Sequence, residues 1–156
     1  LRGMTYMAHL QENIETFSPL EPLTDEDMDF LESTAQKFVR YPVIPCNDCK
    51  YCMPCPYGID IPGIILHFNK CINEDSMPVS SQDEDYRKLR RAFLIGYDRS
   101  VPKLRQADHC TGCNICVKKC PQRINIPKQM RRIDKFVEAL KQGKEFDDKT
   151  NYLWSR

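Results

Sequence analysis

An all-α fold is predicted for this chain of 156 residues, on three observations. Apolar residues recur every three or four positions in several stretches, no stretch keeps a two-residue alternation for long, and helix-opening residues stand at the head of the periodic stretches. With 41% hydrophobic and 29% charged residues, the composition is that of a globular chain rather than a disordered or fibrous one. No run approaches the roughly 18 apolar residues of a membrane span. A formal net charge of +1 gives no global attraction to nucleic acid or to an anionic membrane, so neither is expected as a partner.

The first helix is expected from Met4 to Ile14, ended by the Pro-containing linker Phe17 to Leu23. Thr24 then reads as an N-cap. Asp25, Glu26 and Asp27 occupy the first turn, where the helix dipole favours acids, and Met28, Leu31, Ala35, Phe38 and Val39 trace an apolar stripe that stops before Pro42. Pro62 suits a first helical position, and Ile61, Ile64, Ile65, Phe68, Cys71 and Ile72 follow at helical spacing to about Glu74. Asp83 to Tyr97 forms the next expected helix, with Tyr86, Leu89, Phe93 and Leu94 inward and a loop at Pro102. Pro127 opens the last one. Met130, Ile133, Phe136, Val137 and Leu140 face inward there, and Gly143 serves as C-cap. The polar tail from Glu145 ends in Tyr152-Leu-Trp154, which is expected to pack back.

One unit occurs twice. Cys46-x-x-Cys49-x-x-Cys52-x-x-Cys55-Pro-x-x-Ile59-Asp-Ile61-Pro62 returns as Cys110-x-x-Cys113-x-x-Cys116-x-x-x-Cys120-Pro-x-x-Ile124-Asn-Ile126-Pro127. Nine cysteines cannot all pair, and cysteines at three-residue intervals converge on one point more naturally than they form bridges. Thiols kept for metal rather than disulfides imply a reducing, cytoplasmic setting. A 4Fe-4S cubane needs four thiolates, and three of them two residues apart can wrap one face of it while the fourth arrives from elsewhere. Two structural zinc sites are the competing expectation, although a third Cys-x-x interval and a following Pro add nothing for zinc. Backbone N–H groups near Gly58 and Gly112 are candidates for bonding the sulfides.

Cys71 falls in line with apolar neighbours and is expected as a buried thiol, whereas His109 borders Cys110 and His9 and His67 show no partner in the sequence. Charge is uneven. Between Gly3 and Gln36 there is no Lys or Arg, while Lys118, Lys119, Arg123, Lys128, Arg131, Arg132 and Lys135 crowd the second run with Asp134 as the only acid among them. These are solvated helix faces, a counterweight to anionic clusters, or a docking face.

The second run resembles the bacterial two-cluster ferredoxin pattern, in which the cysteine before Pro ligates the other cluster. That resemblance implies one cluster on Cys46, Cys49, Cys52 and Cys120 and another on Cys110, Cys113, Cys116 and Cys55. The first run is one residue shorter between Cys52 and Cys55, which leaves the remote ligand of each cluster open. Over roughly residues 40 to 141 the chain resembles the α-helical ferredoxin domain of succinate dehydrogenase and fumarate reductase iron-sulfur subunits.

A second resemblance lies upstream: Gly3-Met-Thr-Tyr-Met-Ala-His-Leu-Gln-Glu-Asn13 and Pro22-Leu-Thr-Asp-Glu-Asp-Met28 are similar to the closing segment of aldo/keto reductases. Together they resemble the iron-sulfur branch of that family, a catalytic barrel followed by a ferredoxin-like domain. The resemblance implies a division into residues 1–23 as barrel end and linker, 24–144 as the α-helical ferredoxin-like domain and 145–156 as tail. The start at Leu1 fits a chain that continues upstream, where the catalytic residues would lie.

By the same resemblance, Glu12 and Asn13 would touch the adenine end of a nicotinamide cofactor in the full-length oxidoreductase. The family's Lys and Arg for the 2′-phosphate fall at Gly3 and His9, so NAD and NADP both stay open. The partners implied are the upstream barrel and an electron donor or acceptor. Clusters acting only as structural staples of a helical interaction domain are the other expectation for the same cysteines.

Overall fold

The computed structural model describes residues 4–18 and 20–144. Gly3, the Val39 side chain and the Tyr152-Leu-Trp154 tail lie outside the described residues. Among the described residues there are six α-helices, two single-turn 3-10 segments and no strand, which bears out the all-α class. None of these helices is long and apolar enough to cross a membrane. The chain divides after Tyr41 into two compact units.

The first unit holds α1 (Met7–Phe17) and α2 (Asp25–Arg40). Helix α1 begins and ends three residues later than the sequence suggests. It runs on to Ser18, which is extended at φ −137° as a residue before proline is steered to be. Helix α2 opens on a reciprocal cap. The Thr24 hydroxyl accepts from the Asp27 N–H at 3.2 Å, and the Asp27 carboxylate accepts from the Thr24 N–H at 2.9 Å, satisfying two end groups at once. The Thr24 hydroxyl, which also donates to the Asp27 carboxylate at 2.7 Å, and then the Thr24 N–H hold that carboxyl below its ordinary pKa. Tyr41, before Pro42, ends the helix in the extended region.

The second unit contains α3 (Ile61–Asn73), α4 (Tyr86–Ser100), the short α5 (Ile115–Lys119) and α6 (Ile126–Gln142), with 3-10 turns at Lys103–Arg105 and Ala107–His109. Helices α3, α4 and α6 pack on one another around Phe68, Phe93 and Phe136, each no more than 1% exposed. The Phe136 ring meets Phe93 edge-on at 5.2 Å and Phe68 at 6.4 Å, the arrangement that aromatic quadrupoles favour.

Helix α4 starts at Tyr86 rather than Asp83 because Asp83 serves the preceding turn: its carboxylate accepts from the Ser80 N–H and its carbonyl from the Tyr86 N–H. It continues to Val101, extended before Pro102. Gly143 closes α6 at φ +62°, as expected of a C-cap. Arg90 of α4 donates to the Leu140 and Lys141 carbonyls, placing positive charge at the negative end of α6.

Candidate metal centre

The two cysteine runs lead into α3 and α6 by the same local device. Asp60 caps α3 by accepting from the Gly63 N–H at 3.2 Å, and Asn125 caps α6 by accepting from the Lys128 N–H at 3.2 Å. In each case the next two residues are Ile-Pro, and the isoleucine is buried. The backbone of the runs repeats as well. Asp48 and Lys50 are left-handed at φ +54° and +62°, and the equivalent Gly112 and Asn114 are left-handed at +76° and +62°. Gly58 at +75° is matched by Arg123 at +53°. Left-handed residues recurring along a loop build the N–H-lined concavities that hold anions and iron-sulfur groups.

Each run is tied at its head to a core helix. Asn69 of α3 accepts from the Ile44 N–H at 2.9 Å and donates to the Ile44 carbonyl at 2.7 Å, fixing the strand of chain two residues before Cys46. Tyr97 of α4 accepts from the Ala107 N–H at 3.2 Å, three residues before Cys110. The Gln106 amide beside it donates to Asp98 and to the Val101 carbonyl.

The eight run cysteines separate into two cavities. Cys46, Cys49, Cys52 and Cys120 line one small cavity with Ile61, Ile65, Ile124 and Ile126. Cys55, Cys110, Cys113 and Cys116 line a second with Tyr57, Ile59, Ile61, Ile126 and Met130. Each cavity thus takes three thiols from one run and the Cys-Pro thiol from the other. Ile61 and Ile126 wall both. In the shorter first run the link from Cys52 to Cys55 contains a cis Met53–Pro54 bond; the second run fills its link with α5.

Burial pushes the Cys52 thiol up to about 11, and its neighbours Cys46, Cys116 and Cys49 add to the rise. Cys46 is raised by burial and by Cys120 and Cys49, and Cys116 by burial and by Cys110, Cys113 and Cys55. Thiols raised in this way stay protonated near neutral pH, and a cation bound beside Cys46, Cys52 or Cys116 would release their protons.

Among the described residues no three His, Cys, Asp or Glu stand close enough to share a single metal ion. A tetrahedral zinc at about 2.3 Å from each sulfur draws its four sulfurs to roughly 3.8 Å apart. The four thiols that line each cavity make an all-thiolate donor set, which a four-cysteine zinc site and a cubane both use.

The remaining sequence candidates fall elsewhere. Glu12 is exposed on α1, and the Asn13 side chain donates to the His9 carbonyl at 2.7 Å. Cys71 is buried in the core, as its spacing suggests. His67 is buried too, its ring 4.9 Å from Phe93 and its Nε2 3.7 Å from the Cys71 thiol. No partner for it was legible, yet Cys71 stands four residues on, at the spacing of same-face helix neighbours. Asn69 and Tyr97 were also missed. The signal for Asn69 is a polar residue inside an otherwise apolar helix sequence.

No family model, curated protein or solved structure matches this chain.

Proposed function

We propose that the chain is an electron-transfer domain that holds two 4Fe-4S clusters, one on Cys46, Cys49, Cys52 and Cys120 and the other on Cys55, Cys110, Cys113 and Cys116. The observation that carries this reading is the sorting of the eight thiols into two four-thiol cavities, each drawing on both runs. The paired left-handed residues around them supply a second support. Such groups exchange one electron at a time, at potentials set by nearby charge, hydrogen bonding and exposure. Hydride chemistry on a nicotinamide moves two, so a pair of one-electron centres suits a two-electron reaction elsewhere in the protein.

Within this proposal the domain serves an aldo/keto reductase-like oxidoreductase of the cytoplasm, with its barrel upstream and Glu12 and Asn13 at the cofactor's adenine end. The resemblance of the Gly3 to Asn13 and Pro22 to Met28 segments supports that context. Oxygen-free purification followed by iron and sulfide counting and electron paramagnetic resonance after reduction tests it. About eight iron and eight sulfide per chain, with signals that appear on reduction, are expected. Zinc, or no metal, overturns the reading. The crossing also makes each group a strap between two distant segments, which favours a structural role as the second reading. Loaded clusters that resist reduction, while their removal unfolds the domain, would select that role.

A further inference from the structure

The two cysteine runs are alike in cysteine content but differ in the charge that follows them. From Cys46 through Pro62 the chain carries Asp48, Lys50 and Asp60, and Lys50 is paired with Asp48 at 3.7 Å. From Cys110 through Arg132 it carries Lys118, Lys119, Arg123, Lys128, Arg131 and Arg132, with no Asp or Glu. Arg132 is turned inward over the Phe68 ring, and the other five are exposed. None of those five makes an ion pair among the described residues.

The cations follow the second run rather than one cavity. Lys118 and Lys119 are on α5, between Cys116 of the second cavity and Cys120 of the first. Arg131 comes so near the second run that a Cβ on Gly112 would stand 3.3 Å from its guanidinium. Lys128 follows Pro127, which lines the second cavity, and Ile126, which lines both. The nearest acids in sequence are Asp108, which faces His109 at 4.0 Å, and Asp134, on α6 just after Arg132. Access differs in the same direction, for Cys113 is the one run cysteine that is exposed. Tyr57 and Ile115 beside it are 49% and 47% exposed. An apolar centre within a charged rim is the layout of a small, transient electron-transfer interface.

We infer that the second cysteine set is the port through which this domain exchanges electrons with a redox protein whose docking face is lined by carboxylates. This rests on the reading of the two cysteine sets as cluster sites. Each encounter moves one electron, with no bond made or broken: the carrier is reduced by one as the group on Cys55, Cys110, Cys113 and Cys116 is oxidised by one, or the reverse. Opposed charge speeds such an encounter and loses its hold as salt rises.

The test uses the full chain, loaded and reduced without oxygen, and oxidised in stopped flow by ferricyanide or by hexaamminecobalt(III). The expected result is a ferricyanide rate that falls with added salt and a hexaamminecobalt rate that rises. In a variant combining Lys118→Glu, Lys119→Glu and Arg131→Glu, the ferricyanide rate at low salt drops about ten-fold or more and its salt slope flattens. Lys70→Glu, on α3, leaves both rates as they were. As a readout free of electron transfer, polyglutamate titrated into the oxidised loaded protein binds the unaltered chain and not the triple variant. Flat or like-signed salt slopes in the unaltered chain overturn the port while leaving the cluster assignment standing. A chain that takes up no iron overturns both.

Discussion

Crossed and uncrossed use of the two runs can be told apart by pairwise replacement, because the two schemes assign Cys120 to different partners. In the structure Cys120 shares a cavity with Cys46, Cys49 and Cys52, and Cys113 shares one with Cys55. Each single change, Cys120→Ala, Cys49→Ala or Cys113→Ala, removes one thiol of four and should halve the metal, from about eight iron per chain to about four. The pairs are informative because losses within one site do not add while losses in separate sites do. Cys120→Ala with Cys49→Ala should still leave about four iron, and Cys120→Ala with Cys113→Ala should leave almost none. If each run instead fills its own site, the two doubles exchange results. Iron and acid-labile sulfide per chain, counted after oxygen-free purification, provide the assay. Four iron remaining in the Cys120/Cys113 double, with none in the Cys120/Cys49 double, would refute the crossed arrangement.

Asn69→Ala removes both bonds to the Ile44 backbone and should cost about 2 kcal/mol, roughly 10 °C in melting temperature followed by circular dichroism; an unchanged midpoint would show that the run needs no such anchor. Gly96→Ala would set a methyl 2.8 Å from His67 Cε1 and should destabilise by about 1–3 kcal/mol. Pairing it with His67→Ala should recover part of the loss, and full additivity would contradict the steric cause. Burial holds the His67 imidazole below its ordinary pKa, with Lys70 acting in the same direction and the Phe93 carbonyl opposing. The folded chain therefore resists protonation that the unfolded chain accepts, so His67's contribution is intact above about pH 6.5 and is lost as pH falls through that value. Denaturant midpoints from pH 7.5 to 5.5 should fall more steeply in the unaltered protein than in His67→Gln, and equal slopes would exclude His67 as the cause.

Much of the fold was legible because its signals are local. The Thr24 cap, the Pro residues opening α3 and α6 and the Gly143 stop each act within one turn, and each appears where the sequence puts it. Helix α4 was misplaced by a turn because an Asp that looks like a helix opener is spent on the turn before it. Helix α5 has only five residues, too few for a periodic pattern to emerge. The cysteine repeat was plain in the sequence, but the grouping of its members into two cavities was available only through the ferredoxin resemblance, since the shorter first run left the remote ligands open. The matched left-handed positions were half visible. Gly58 and Gly112 announce themselves, but Lys50 and Arg123 are side chains that rarely adopt that conformation, and only alignment of the two runs exposes them. The clamps from Asn69 and Tyr97 join segments far apart in sequence and leave no periodic trace.

The sharing of thiols between the runs also orders events during synthesis. A chain whose runs each filled their own cavity could complete one binding pocket once Cys55 had emerged. Here the cavity holding Cys55 waits for Cys116, and the cavity holding Cys46 waits for Cys120. Both cavities therefore come into being within a few residues of each other, and the four early thiols wait until the second run has left the ribosome.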